Sequence, residues 1–378
     1  MTTEKKAIVI VDRAALLRAV QASNAVEARN TIPILSNMLI EAEGEKIALT
    51  GTDLDMSIRI AVAARCEGQP LATTVAAKRL ATLVQSSDDG CQIKLTHESG
   101  GRDVEMRAGR SLYRLPQIPR DDFPLLPFEH GPAEFTISAS AFAAVLARTA
   151  EAESDNPARY YLNGTALTVD GDRLVAVATN GFSLASVDLA PAPEGWPTVV
   201  VPSKLTALLA RLLKDGEGDI RVALNAAASR IRVEWGEDWT ITSKLIDGKF
   251  PENWAKVLPA PCKDRRVVAD SGAVQRAIRR VCEMSQEKTK IIDVVVGEDM
   301  LTIRCQSADI GFGEEQVPAS ATLKDMSARF NSVHLRGAVA AASGDSVALD
   351  FGEHGKATVR IAPQAGGGFA GCVHPIQN

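Results

Sequence analysis

The chain has 378 residues, enough for two or three domains of ordinary size, and at 46% hydrophobic and 24% charged it can build packed cores. A formal net charge of −5 argues against a uniformly basic nucleic-acid binder, but not against one whose cations are gathered on one surface. The cysteines (Cys66, Cys91, Cys262, Cys282, Cys305 and Cys372) have neither C-x-x-C spacing nor a nearby histidine at ligand spacing. Buried thiols in a reducing compartment are therefore expected, with no metal and no cofactor. The start MTTEKKAIVIVDRA lacks the apolar core and cleavage site of a signal peptide, and no apolar run reaches the roughly 18 residues of a membrane span. A cytoplasmic protein without membrane contact is expected.

In chain order, one pattern occurs three times. The first copy has a helix in DRAALLRAVQAS (12–23), a hairpin in KIALTGTDLDMSIRIAV (46–62), a strand and helix in TTVAAKRLATLVQSS (73–87) and a hairpin in CQIKLTHESGGRDVEMRAG (91–109). The second has SASAFAAVLARTAEAE (138–153), YLNGTALTVDGDRLVAVAT (161–179), TVVVPSKLTALLARLLKDG (198–216) and DIRVALNAAASRIRVEW (219–235). The third has SGAVQRAIRRVCEMS (271–285), IIDVVVGEDMLTIRCQ (291–306), ARFNSVHLRGAVAAAS (328–343) and SVALDFGEHGKATVRIA (346–362). Leu80, Leu205 and Leu335 occupy matching places. In the second copy Asn163-Gly164 and Asp170-Gly171 are turn dipeptides.

Solenoid units run to about 20–50 residues, so a unit this long is a domain. Pro-rich stretches at 115–132 and 250–264 separate the copies. The expected division is 1–130, 131–262 and 263–365, all α+β, followed by a flexible glycine-rich tail at 366–378.

The six repeat helices (12–23, 77–86, 140–153, 203–214, 272–284 and 331–343) carry Arg13, Arg18, Lys78, Arg79, Arg148, Lys204, Arg211, Lys214, Arg276, Arg279, Arg280 and Arg336 against four acids. Their net charge is +8, which leaves −13 for the rest of the chain. In SKLTALLARLLK the leucines form one stripe with Lys204 and Arg211 off it; in GAVQRAIRRVCEM the arginines share a face opposite Val274, Ile278, Val281 and Cys282. One basic surface on an acidic body suits sequence-blind contact with phosphates. Aromatics at only 4% do not supply a stacking platform for single strands, so duplex is favoured.

No active site assembles. The SDN at 154–156 and the S-x-x-K from Ser285 to Lys288 stand in the wrong order for a penicillin-recognising enzyme, and no K-T-G follows. Gly181-Phe182-Ser183-Leu184-Ala185 lacks the second glycine of a nucleophile elbow, Asp53-Leu54-Asp55 is a surface turn or strand rather than a metal site, and there is no P-loop or G-x-G-x-x-G.

Several segments resemble one family. RNTIPILSNMLI (29–40), GTDLDMSI (51–58), DFPLLP (122–127), RYYLNG (159–164), VATNGFSLA (177–185), VVVPSK (199–204) and TSKLIDGKFPENWAKVLP (242–259) are similar to the bacterial sliding clamp, the β subunit of DNA polymerase III. The resemblance implies a clamp fold of three similar domains, each with two helices and two small antiparallel sheets. Two subunits close head to tail into a ring around duplex DNA. It implies a non-catalytic processivity factor whose partners are a clamp loader, a polymerase and other proteins carrying a short clamp-binding motif. DNA contacts would fall on Arg29, Lys78, Arg79, Asn156, Arg159, Tyr161 and Lys204. The partner-peptide pocket would include Leu162, Thr179, Gly181, Leu184, Pro251, Lys256, Val257, Ala362 and Pro363. The subunit interface would set Tyr113 and Leu115 against Met284 of the partner subunit.

Three departures stand out. Phe182-Ser183 replaces the family's His-Arg. Arg360-Ile-Ala-Pro-Gln364 stands where the family's Met-Pro-Met-Arg-Leu is expected. Glu283-Met284 replaces a more apolar pair at the interface. A divergent or accessory clamp is one reading of these changes. Two rivals remain: a repeat scaffold that binds only proteins and does not load on DNA, and a penicillin-recognising enzyme built on Ser285.

Overall fold

A computed structural model describes residues 6–26, 32–285 and 290–377. The chain divides into two compact units, one of Met1–Ala139 with Gly216–Lys244, the other of Ser140–Asp215 with Leu245–Asn378. The second repeat is thus shared out between them. Six α-helices lie in the described residues: α1 (Arg13–Ser23), α2 (Ala77–Gln85), α3 (Ala139–Ala150), α4 (Ser203–Leu212), α5 (Ser271–Val281) and α6 (Ser332–Ala342). Their starts follow local chemistry. The side chains of Asp12, Asp270 and Asn331 accept from backbone N–H groups of the first turns of α1, α5 and α6. Leu80, Leu205 and Leu335 are all buried in the first turns of α2, α4 and α6.

In the first unit, eight strands of the first repeat close on themselves. Lys6–Asp12 pairs with Gln92–Glu98 on one side and with the far end of the thirteen-residue strand Met56–Gly68 on the other. The near end of that long strand pairs instead with Trp239–Lys244, with Trp239 opposite Ile60. The sheet then continues through Arg230–Trp235 and Asp219–Asn225 to His130–Ser138. One antiparallel sheet therefore runs across a repeat boundary without a break. The helix α1 packs on Met56–Gly68 and on α2, which buries Leu16, Ala19 and Val20.

The second unit repeats the device. Its strands run in the order Val199–Pro202, Gly164–Asp170, Arg173–Thr179, Ser183–Pro191, Phe369–Val373, Val359–Pro363, Ser346–Asp350, Arg266–Asp270, Gly311–Ala321, Met300–Ser307, Ile291–Val296 and Met326–Asn331. The junction between second-repeat and third-repeat strands is Ser183–Pro191 against Phe369–Val373, with Leu184 opposite Cys372.

That junction overturns the expectation of a flexible tail. Gly366, Gly367 and Gly368 have φ of +80°, +123° and +61°, a backbone that only glycine adopts without strain. They form a turn that brings the chain back as the strand Phe369–Val373. The turn is held where the Asp188 N–H donates to Gly368 O at 2.7 Å.

A second correction concerns Asn163-Gly164. Asp170-Gly171 is a hairpin turn, but Gly164 opens a strand, and a Cβ there would lie 2.0 Å from Val201 O. This glycine permits close strand approach rather than a turn.

Among the described residues the most deeply buried ion pair lies in the second unit. Arg266 Nε and Nη2 donate to Asp350 Oδ1 and Oδ2 at 2.6 and 2.8 Å, and the Cys262 N–H donates to Oδ2 at 3.1 Å. The carboxylate beside it raises the Arg266 pKa.

Candidate nucleic-acid and partner-peptide sites

The helix cations divide into two sets. Arg18, Lys78, Arg79, Lys204, Arg211, Lys214, Arg276, Arg279, Arg280 and Arg336 are exposed, as the helical periodicity predicted. Arg13 and Arg148 are not surface groups. Arg13 donates to Val84 O, Gln85 O and Asp89 Oδ1 at 3.0, 2.6 and 2.6 Å. Arg148 donates to Ala341 O and Ala342 O at 2.7 and 3.3 Å, its guanidinium lies 4.6 Å from the Phe369 ring, and burial lowers its pKa. Each closes the C-terminal carbonyls of another helix, α2 and α6, where the helix dipole favours a cation. Neither is available to phosphate, so the +8 read from sequence overstates the surface charge.

Of the DNA contacts implied by resemblance, Arg29 lies outside the described residues. Lys78 and Arg79 are exposed in the first turn of α2, and Lys204 in the first turn of α4. Asn156 caps the short 3-10 helix Pro157–Leu162, its side chain accepting from the Ala158 N–H at 2.9 Å. That helix presents Arg159, with Tyr161 half-buried. Glu153, one turn earlier, accepts from the Thr165 and Thr206 hydroxyls at 2.7 and 2.9 Å, and burial raises its pKa. It ties the chain after α3 to α4 and to the strand Gly164–Asp170.

The apolar site is built on the second-unit junction. Leu162, Leu184, Val200, Phe250, Trp254 and Cys372 form one buried cluster, with Tyr161, Ile246 and Leu258 partly buried against it. Burial pushes the Cys372 thiol up to about 12, so the sulfur is a neutral, apolar filler. Its Sγ points at Val257 O, 3.8 Å away. Around this cluster Tyr160, Phe182 and Val257 are 53%, 61% and 53% exposed. A buried apolar floor carrying exposed apolar rims is what a docking groove requires, whereas scattered surface apolars are not.

The rim is shaped by the turn Thr179–Ser183. Thr179 Oγ1 donates to Ser183 O at 2.7 Å, and Asn180 Oδ1 accepts from the Phe182 and Ser183 N–H groups at 2.9 Å. Gly181 has φ +90°, and a Cβ there would meet Arg159 Nη1 at 2.8 Å. Phe182 stacks on His334, centroids 5.5 Å apart, and burial lowers the His334 pKa while Asp155 opposes the shift. Leu162, Thr179, Gly181, Leu184 and Val257 thus gather around one region, with Pro251 and Lys256 on the segment that carries Trp254.

Ala362 and Pro363 do not join them. They pair with Ala348 and Val347, and Pro363 lines a separate cleft with Arg148. The C-terminal segment that reaches the apolar cluster is Cys372-Val373-His374-Pro375-Ile376; of Arg360–Gln364, Arg360 lies opposite Cys372, while Ala362 and Pro363 lie further along that strand. Sequence reading missed the 372–376 segment because the glycine turn before it was taken for the end of structure. The Pro375 two residues beyond Val373 was the available signal. Trp254, Phe250, Tyr160 and His334 were also missed as contributors.

Among the described residues several strand edges are paired on one side only, and two of them carry exposed apolar and charged side chains of opposite sign. Among the described residues, Ser111–Pro116 pairs on one side only, with Asp103–Ala108, and Gly311–Pro318 on one side only, with Met300–Ser307. The first edge exposes Leu112 and Arg114; the second exposes Phe312 and Glu314. Leu115 is turned inward at 4% exposure, so Leu112 rather than Leu115 offers apolar surface. Met284 is half-buried, lying against Gly313 of its own unit.

Asp53 Oδ1 accepts from the Asp55 and Met56 N–H groups at 3.0 and 2.7 Å, and Asp55 pairs with Lys244 at 2.8 Å. Both carboxylates are engaged in a turn. Among the described residues no group of three His, Cys, Asp or Glu is placed to hold a metal, and no helix is long and apolar enough to cross a membrane. Lys288, the second half of the S-x-x-K, lies outside the described residues.

Models of the DNA polymerase III beta subunit match in succession: its N-terminal domain over residues 8–127, its central domain over 136–252 and its C-terminal domain over 255–365. The chain belongs to the beta sliding clamp family. It is 34% identical to the beta sliding clamp of Pseudomonas aeruginosa over 86% of this chain and 88% of that one. It is 31% identical to that of Caulobacter vibrioides over 93% and 95%. A crystal structure of the Pseudomonas aeruginosa DnaN sliding clamp bound to griselimycin superposes with a TM-score of 0.90 at 30% identity, covering 98% of this chain and 100% of that one. The function is accordingly that of a DNA sliding clamp, and the three repeats are the three clamp domains.

Proposed function

We propose that two copies of this clamp close head to tail around duplex DNA, and that the second-unit groove holds an extended peptide from the polymerase and other replication proteins. The observation that carries the reading is the set of exposed apolar side chains Tyr160, Phe182 and Val257 around the buried cluster that holds Leu162, Leu184 and Cys372. A peptide anchored by Leu and Phe side chains satisfies it. The protein then acts without catalysis. The ring cannot leave closed duplex by letting go, so its contacts with phosphate need only be weak and sequence-blind. Lys78, Arg79, Arg159 and Lys204 supply such contacts. They are long side chains on the first turns of helices or beside the 3-10 segment, free of any geometry that would read bases. A cytoplasmic location, where loader and polymerase act, follows from the same reading.

The open edges support the ring. A strand edge with Leu112 and Arg114 complements one with Phe312 and Glu314 in both apolarity and charge, and edge pairing satisfies backbone groups that otherwise face water. Each copy carries one edge of each kind, so pairing is heterologous, and the proposed ring requires the rotation it generates to close after two copies. Sedimentation velocity at micromolar concentration tests this. A dimer that Glu314→Arg converts to monomer, and that Arg114→Glu in the same chain restores, is the expected result; a monomeric unsubstituted protein contradicts it.

A further inference from the structure

The C-terminal segment continues past the groove into a second, polar feature. From Cys372 in the floor the chain passes His374, whose backbone N–H donates to Phe182 O at 2.8 Å, and reaches Ile376, whose backbone N–H donates to Arg329 O at 2.7 Å. Ile376 there forms one wall of a cleft of about 480 Å³, with Asp293, Arg329, His354 and Lys356 among the others. Four residues of chain span at most roughly 13 Å. One extended peptide a few residues longer than the groove therefore reaches both features.

The charge of the cleft is one-sided once its internal pairing is counted. Asp293 is its lining carboxylate, and Arg329 Nε donates to it at 3.0 Å. That leaves the Lys356 ammonium and the His354 ring, both exposed, and among the described residues Lys356 has no carboxylate partner. The loop that carries them is fixed against the strand Met326–Asn331. A Cβ on Gly355 would lie 1.9 Å from Ser327 O, so only glycine allows this approach. The two donors are consequently held at the cleft wall rather than on a loose loop.

We propose that this cleft takes the carboxylates of an acidic segment flanking the peptide bound in the groove, so that partners of this clamp are selected by charge beside the apolar anchor as well as by the anchor itself. The inference rests on the groove reading. Charge complementarity and the chain from Cys372 to Ile376, held by its backbone hydrogen bonds to Phe182 O and Arg329 O, carry it. Exposed pairs of this kind are individually weak and are screened by salt. They modulate affinity that the apolar anchor supplies.

The test is fluorescence anisotropy on the full-length protein with one Leu- and Phe-containing core peptide in three forms: neutral flanks, Asp/Glu flanks and Lys flanks. At low ionic strength the acidic form is expected to bind about five-fold more tightly than the neutral one, and the Lys form more weakly. The gain should vanish at about 0.5 M salt. It should also vanish in the double variant Lys356→Glu, His354→Glu, with neutral-flank affinity unchanged. Equal affinity for all three forms overturns the inference and leaves the groove reading standing. A gain that survives in the double variant places the acidic contact elsewhere and also overturns it. Failure of every form to bind a folded dimer overturns both readings.

Discussion

The groove of the second unit and the cationic helix faces obey different rules. The proposed groove would depend on fixed geometry: Leu184 and Cys372 are opposite each other in one register, and slipping one strand by a residue would turn its side chain off that face. The cationic faces would contact phosphate without it. Arg79, Arg276 and Arg279 need only be charged and in water, because a phosphate backbone presents acceptors everywhere along its path. The first kind of site is sensitive to single atoms and insensitive to salt; the second is the reverse.

Deletion of the groove base should separate the two most strongly. Trp254→Ala removes a side chain that is 7% exposed within the apolar cluster, and is expected to cost about 3–5 kcal/mol of folding stability. Chemical denaturation of the full chain measures this. A loss under about 1 kcal/mol would mean that the cluster is not well packed. Truncation at the rim is milder and more selective. Val257→Ala and Tyr160→Ala should each weaken a bound Leu/Phe peptide by about 1–2 kcal/mol, roughly ten-fold, with an unchanged melting midpoint, since both side chains are more than half exposed.

Between the regions sits Glu153, whose raised pKa gives a signed prediction. A carboxyl with a folded pKa above its unfolded value binds its proton more tightly in the folded state. Its contribution is present below the ordinary carboxylate range and lost as pH rises through the raised value. Glu153→Gln should therefore stabilise the protein by about 1 kcal/mol at pH 8, and the difference should close as pH falls below the ordinary glutamate range. A variant less stable than the parent at pH 8 would show that the hydroxyls of Thr165 and Thr206 depend on the charged form.

The smallest effect belongs to the helix faces. Arg79→Ala should change stability by less than about 0.5 kcal/mol, leave peptide affinity alone and lower the salt slope of duplex binding by about one. A peptide-affinity change in this variant would dissolve the distinction between the regions.

The same contrast explains what was legible in the sequence. Repeats, helices and their polar faces follow from local periodicity, and the apolar partners of Arg276 and Arg279 were read correctly from Val274, Ile278 and Val281. Periodicity names a face but not what covers it. Arg148 looked like any exposed arginine, and only packing against the end of α6 and Phe369 reveals it as an internal staple. The groove floor needed more still. Three consecutive glycines carry no side-chain pattern, so their role as a turn is visible only when the strand they deliver, Phe369–Val373, is found paired with Ser183–Pro191. Asn163-Gly164 failed for a related reason. A glycine that relieves a steric approach and one that makes a turn are the same letter.

The central claim is topological, and one measurement addresses it directly. The protein is loaded by a competent clamp loader onto nicked circular duplex, free protein is removed, and the bound fraction is followed before and after the circle is cut once. Retention on the circle followed by rapid loss from the cut duplex is the predicted result, because a ring leaves only at an end. Equal retention on circle and linear duplex would show binding by direct grip rather than encirclement, and would contradict the account.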